Sequence, residues 1–358
     1  MTSYLTTINH DLQGWKKLLL EGKSSSAFNS APVFSLFRDI CLILYETNKV
    51  LKEDGIIKIN LPNIDMIKEI RHKVKTNQGI KNREIFNKLL DGHKSLFGND
   101  IDNLGFYIEG EILASSTLFP TFIFSGTPLF NQLEKEAFLK TTSVIGSLNE
   151  QFINLINEPI NLPSKPLIIE NEKKHTLKDI WDKRFFKEED ITYNIFLTRL
   201  LLIQNELTTC IWMKNHLDYN SKQFNFDKYI LLRFTSIKLF ETMRNILDIQ
   251  KRLNQHWKAF NFTTLDQLII EYEHTIQDEM KTLRDMLHYA NKGINFYDYI
   301  MQKIDIDSEY PDKLIDIMFN NYIQNIRNTI SINLNIQSYK SMNGFEKVLR
   351  RFKSGSAH

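Results

Sequence analysis

The chain of 358 residues has only two cysteines, Cys41 and Cys210, which excludes a disulfide framework and a zinc site caged by thiolates. It also lacks a charge excess. Lys+Arg number 45 against 43 Asp+Glu, a formal net charge of +2, so any contact with nucleic acid must come from a local patch. Long apolar runs are missing as well. The stretch from Val33 to Val50 is broken by Arg38, Asp39, Glu46 and Lys49, and that from Phe196 to Ile203 by Arg199, whereas a membrane-spanning helix needs about 20 mostly apolar residues. The first eleven residues, Met1 to Asp11, lack the cationic start and apolar stretch of a secretory signal. Two thiols without an export signal imply a cytoplasmic protein and no membrane partner.

Glycine and proline are scarce in one half only. Ten of the 13 glycines lie between Gly14 and Gly146, and none falls between Ser147 and Lys292. Three of the eight prolines, Pro159, Pro163 and Pro166, cluster together, and the next is Pro311. Both residues weaken helices, so the depleted region favours helix. This places a linker at 157–175, between a mixed N-terminal domain over 1–156 and a helical bundle over 176–353. Residues 354–358 read as a cloning scar. The expected fold is mainly α, with a few short strands in the N-terminal domain.

In the N-terminal part, Val33 to Glu53 has a helical stripe through Phe34, Phe37, Cys41, Leu44 and Val50. Asn63 can cap a helix to about Lys75, and Gly55 to Asn60 reads as a short strand. Phe106 to Ile112 alternates like a half-buried strand. Pro120 confines Leu118 to Phe124 to an edge or loop, and Asn131 to Asn157 returns to helix. Phe119, Phe122, Phe124 and Phe130 read as core in preference to a partner groove.

In the C-terminal part, helices are expected over about 176–219 with one break, then 226–257, 264–291 and 311–335. The third carries an apolar stripe from Leu265 through Tyr272 and Met280 to Leu287, with a capping box at Thr264 and Gln267 and a stop at Gly293. Pro311 suits the first turn of the last helix.

Common signatures are absent. There is no phosphate-binding Gly-x-x-x-x-Gly-Lys-Ser/Thr, no dinucleotide Gly-x-Gly-x-x-Gly after a strand, no Gly-x-Ser-x-Gly elbow and no His-Glu-x-x-His. Glu271-x-x-His274 and Asp285-x-x-His288 suggest a helical di-metal site, yet on one helix they would lie about 20 Å apart, too far to share a centre. His216 and His256 stand near expected helix ends, where imidazoles serve carbonyls more often than haem.

What remains is Lys281-Thr-Leu-Arg284-Asp285-Met-Leu-His288-Tyr289. Arg284 and His288, four apart, would project about 40° from each other on one helical face. Asp285 is within reach of an imidazole or a phenol. A guanidinium supplies a fixed fork for phosphate and an imidazole shuttles a proton near neutral pH. Those roles suffice for cleavage of RNA by its own 2′-hydroxyl without metal.

This segment resembles the HEPN superfamily, the helical domains of prokaryotic toxins, phage-defence proteins and CRISPR-associated ribonucleases. Their hallmark is Arg, a polar residue, a short spacer and His on a helix of a four-to-five-helix bundle. The helix from Ile230 to Asn245 is similar to the one that packs against the motif helix in such bundles. The resemblance covers about 176–340. It implies a metal-independent endoribonuclease or toxin-like effector of the kind found in phage defence, acting as a homodimer on RNA and needing no cofactor. Arg284 would stabilise the phosphate, His288 would transfer a proton and Asp285 would position one of them. Arg233, Arg244, Lys281 and Tyr289 would face the RNA. The family generally has four to six residues between Arg and His, whereas three stand here, and degenerate members serve as structural or binding modules. The alternative is therefore a non-catalytic helical module that binds a partner protein subunit. The basic tail Lys347, Arg350, Arg351 and Lys353 reads as a solvated segment or an RNA contact.

Overall fold

A computed structural model describes residues 3–24, 32–58, 61, 63–68, 104–119, 135–157, 160, 175–187, 189–289 and 293–342. Helix α1 (Ser3–Ser24) opens the chain, a helix the sequence pattern did not announce. Leu5, Ile8, Leu12, Trp15 and Leu18 are buried, but so are Asn9, Asp11, Gln13, Lys17 and Glu21, and polar residues on buried faces blur an amphipathic signal. Helix α2 (Pro32–Glu53) follows, with Phe37, Cys41, Leu44 and Val50 buried as their spacing requires. The chain then turns at Gly55 and Ile56 and makes no strand up to residue 58, correcting that part of the strand expected over 55–60, whose last two positions lie outside the described residues.

Strands β1 (Leu104–Glu109) and β2 (Ile112–Ser116) make a hairpin whose two-residue turn is Gly110-Glu111. Gly110 has φ 63°, the left-handed value that glycine adopts without a Cβ clash. The alternation over 106–112 is thus the end of one strand, a turn, and the start of the next. Helix α3 (Lys135–Ile156) leads towards β3 (Thr176–Ile180), which pairs antiparallel with β1, Leu104 opposite Ile180. The sheet order is β2-β1-β3. Helix had been expected from residue 176, and the partner that makes a strand of these five residues lies far away in sequence.

The rest is helical: α4 (Asp182–Phe185), α5 (Ile191–His216), α6 (Phe226–Arg252), α7 (Asn254–Ala259), α8 (Thr263–Thr275), α9 (Gln277–Asp285), α10 (Phe296–Ile306) and α11 (Tyr310–Asp316). A π-helical segment (Ile317–Ile323) joins α11 to α12 (Gln324–Leu334), and a 3₁₀ turn (Ile336–Ser338) follows. Asp190 caps α5 by accepting from the Tyr193 amide at 2.9 Å, and Asn225 caps α6 by accepting from the Lys228 amide at 2.8 Å. Helices make up 75% of the described residues, so the protein is mainly α.

The helix expected over 264–291 is two helices. It breaks at Ile276 (φ −130°) and stops at Asp285, before Gly293, while its stripe from Leu265 to Leu287 stays buried. The capping box does not form. Helix α8 begins at Thr263 without a side-chain cap, and Asp266 instead accepts from Trp257 Nε1 at 2.9 Å and Gln250 Nε2 at 2.7 Å. Pro311 does sit in the first turn of α11.

Helix α6 runs through the middle, packed by α5, α9, α1 and α11. Segments on both sides of 157–175 share one apolar cluster, since α1 packs on α6, α2 on α5, and β3 on β1. The free edge of β2 is met by side chains: Gln204 donates to the Leu113 carbonyl at 2.6 Å, Thr208 to that of Ala114 at 2.5 Å, and Ser331 accepts from the Leu113 amide at 2.8 Å. An edge satisfied this way cannot recruit another strand. Phe119 is buried, whereas Phe122, Phe124, Phe130, the linker core and Lys347, Arg350, Arg351 and Lys353 lie outside the described residues. Among the described residues no helix is long and apolar enough to cross a membrane.

Candidate functional site

The turn after α9 is held from inside by one arginine. Arg233 on α6 is fully buried and donates from Nε to both oxygens of Asp11 at 3.0 Å and from Nη2 to Asp11 Oδ2 at 2.7 Å. Its remaining donors reach the carbonyls of Leu283 and Met286, each at 3.3 Å. A helix leaves its last carbonyls without intrahelical partners, and Arg233 takes up two of them at the end of α9. Asp11 also accepts from Tyr229 at 2.7 Å and Tyr289 at 2.5 Å, and Phe296 lies 4.6 Å from the guanidinium carbon. Burial, with the negative charge of Asp11 beside them, raises both phenols well above their ordinary range.

This overturns two expectations. The resemblance implies that Arg233 and Tyr289 face RNA, whereas both are sealed in the core on Asp11. Arg244 and Lys281 are exposed on α6 and α9.

Next to this hub lies a second buried charge cluster, centred on Lys238 of α6. Its ammonium sits 2.6 Å from Asp39 and 2.8 Å from Glu206, and it donates to Ser35. Arg38 reaches Glu206 at 2.9 Å. Burial alone would push Glu206 up, but Arg38 and Lys238 together hold it below its ordinary value. Burial would likewise lower Lys238, but Asp39 and Glu206 raise it. The Cys210 thiol, beside the cluster, is pushed up to about 12 by burial.

Towards solvent the same alternation of charge continues to the motif residues. Arg284 lies in the last turn of α9, its Nε 3.2 Å from Glu241 of α6 and its Nη1 3.0 Å from Asp285. His288 follows the helix end. Its amide bonds back to the Asp285 carbonyl at 3.1 Å, so it stands on a turn and not on the helical face expected for it. Its Nδ1 lies 3.2 Å from Glu46 Oε1 of α2. Glu46 is buried, 3% exposed at its side chain, while the His288 side chain is 30% exposed. Asp285 therefore belongs to Arg284, and the carboxylate that orients the imidazole is Glu46.

Sequence reasoning missed both Glu46 and Glu241. Each is one carboxylate among several in its helix, and only the tertiary packing of α2 and α6 around the end of α9 gives it a role. Glu271 and His274 are exposed, and among the described residues no group of three or more His, Cys, Asp or Glu side chains is arranged to hold a metal ion.

Comparison of the chain with protein-family models, with curated proteins and with solved structures found no match.

Proposed function

We propose that the chain is a metal-independent endoribonuclease or toxin-like effector whose proton-transfer unit is His288 held by Glu46. The supporting observation is the orientation of His288, an imidazole open to solvent on one side and anchored through Nδ1 by a buried carboxylate. A carboxylate at Nδ1 fixes the tautomer that leaves Nε2 as the base. In the reaction, Nε2 takes the proton of a ribose 2′-hydroxyl as its oxygen forms a bond to phosphorus. The bond from phosphorus to the 5′-oxygen breaks, and the proton is returned to that oxygen. The products are a 2′,3′-cyclic phosphate and a 5′-hydroxyl. Arg284 neutralises the phosphate once Asp285 releases it. Asp285 is 46% exposed, and an ion pair that open to water is weak enough for a phosphate to displace. The HEPN-like arrangement, an RNA substrate, a homodimer and a cytoplasmic setting all belong to this reading. Two buried free thiols suit such a setting.

A second reading, a non-catalytic helical module binding a partner protein, draws on two observations. Arg284 is already bracketed by Glu241 and Asp285. Between Asp316 and Lys340 the only charged residue is Arg327, which is buried, leaving an uncharged outer face of Asn320, Asn321, Gln324, Asn325, Asn328 and Ile332.

The test is incubation of the purified chain with total RNA in EDTA, with product ends analysed. Wild type should give 2′,3′-cyclic ends, His288→Ala and Arg284→Ala none, and Glu46→Gln a product rate lower by 10-fold or more. Intact RNA with wild type would overturn the nuclease reading in favour of the module.

A further inference from the structure

An open cleft of about 700 Å³, with none of the motif residues in its wall, is lined by Lys183, Arg184, Phe186, Lys187, Tyr193 and Tyr339, with Phe185, Glu189 and Asp190 completing it. We propose that this cleft is a binding site for a nucleoside phosphate unit, with the phosphate on the Lys183, Arg184 and Lys187 side and the base against the tyrosines.

Four features carry the assignment. The first is size, since ligand pockets run from about 300 to 1,000 Å³ and a mononucleotide is a ligand of that scale. The second is a concentration of positive charge. Lys183, Arg184 and Lys187 fall within five residues, all exposed, on α4 and the loop after it, in a chain with almost no net charge. The third is the pair of half-buried phenol rings, Tyr193 on α5 and Tyr339 beyond the 3₁₀ turn. Rings beside cations are the combination that holds unpaired bases by stacking while the backbone is held by charge. Lys187 already lies 4.2 Å from the centre of the Tyr193 ring.

The fourth is that the walls are fixed in advance. Lys178 donates to the carbonyls of Ile336, Gln337 and Tyr339 at 3.3, 2.7 and 2.9 Å, and the Met342 amide donates to the Asp179 carbonyl at 2.8 Å. Together these staple the Tyr339 segment to β3. Phe185 and Phe186 form a buried floor, Phe185 packing on Phe106 at 5.0 Å between ring centres and on Tyr339 at 6.0 Å. A site that needs no rearrangement loses less affinity to ordering.

The acidic residues narrow the ligand. Asp190 is occupied as the cap of α5, accepting from Tyr193 and Thr192, and His256 approaches it at 3.8 Å. Glu189 is exposed at the rim and can accept from ribose hydroxyls or an exocyclic amine, which inorganic phosphate does not offer. The same unit can come from a free mononucleotide or from a single-stranded RNA. The inference does not require His288 to do chemistry.

Binding of 5′-AMP, inorganic phosphate and a fluorescein-labelled oligo(A) ten-mer to the full chain at 50 and 200 mM salt tests it. AMP or the ten-mer should bind at least tenfold more tightly than phosphate. Lys183→Ala with Arg184→Ala and Lys187→Ala should weaken that binding tenfold or more and flatten its salt dependence. Tyr339→Ala should weaken it without changing the salt dependence. Binding of the ten-mer alone identifies an RNA strand as the source, and binding of AMP a free nucleotide. His288→Ala should retain the affinity, so loss of cleavage and loss of this site are read separately. No binding of either nucleotide, or binding that the triple variant with an unchanged thermal midpoint leaves intact, would overturn the proposal.

Discussion

Arg233 Nε stands 3.0 Å from each carboxylate oxygen of Asp11, and neither side chain has any exposed surface. The pair ties the first helix of the chain to the central one. Through the carbonyls of Leu283 and Met286 it also ties both to the turn that carries His288. The residue nearest the expected chemistry thus depends on a charge pair in the core.

Asp11→Ala should be among the most damaging substitutions in the chain. It strands a buried guanidinium and removes the acceptor of two buried phenols, so a loss of about 3–5 kcal/mol is expected from urea unfolding. Asp11→Leu combined with Arg233→Met removes both charges and should recover part of that loss, because no unpaired ion is left. A double variant as unstable as the two single changes summed would show that the pair does not act as a unit.

Stability should fall steeply above pH 10. Tyr229 and Tyr289 are raised by burial and then by Asp11, and Lys238 is raised because Asp39 and Glu206 outweigh its burial. In the unfolded chain tyrosine and lysine release protons near pH 10–10.4, while the folded chain still holds these three. The unfolded state then binds fewer protons, so each group costs about 1.4 kcal/mol of stability per pH unit above that point and nothing below it. Burial raises the Cys41 and Cys210 thiols as well, so urea midpoints should begin to fall near pH 8.5, where unfolded thiols ionise, and steepen above about pH 10, and Tyr289→Phe should make the steeper part shallower. A midpoint that holds steady to pH 11 would contradict the buried positions of these groups.

What could be read from the sequence was whatever depended on local period. The stripe from Leu265 to Leu287 predicted a buried face, and the face is buried although the helix breaks beneath it. Pro311 marked a helix start for a reason internal to the helix. What escaped depended on partners distant along the chain. Helix α1 carries no clear amphipathic stripe because Asp11 and Lys17 point inward to Arg233 and Asp227. Thr176–Ile180 is too short to announce a strand without β1 beside it. At the candidate site the motif residues were visible by type, but not that Arg233 and Tyr289 belong to the core or that Glu46 supplies the carboxylate for His288. Charge in a sequence argues for solvent, and here opposite charges on different helices cancel that argument pair by pair.

The close approach of α1 to α6 gives a last prediction with a change of sign. A Cβ at Gly14 would lie 3.1 Å from Ile230 Cγ1 and 3.5 Å from Phe234 Cε2. Alanine in place of a mid-helix glycine ordinarily gains about 0.5–1 kcal/mol, whereas forcing a methyl into a packed interior costs about 1–3 kcal/mol. The nearest atom is the Cγ1 methylene of a β-branched side chain, one bond from Cβ and stiff at χ1, so it cannot swing away and the steric term wins. Gly14→Ala should destabilise the protein by about 1 kcal/mol, and Gly14→Val by more. In an Ile230→Ala background the clashing atom is gone, and the same Gly14→Ala change should become neutral or stabilising through its helix propensity alone. Equal effects of Gly14→Ala in both backgrounds, measured by urea unfolding, would mean that α1 and α6 are not in contact at this position.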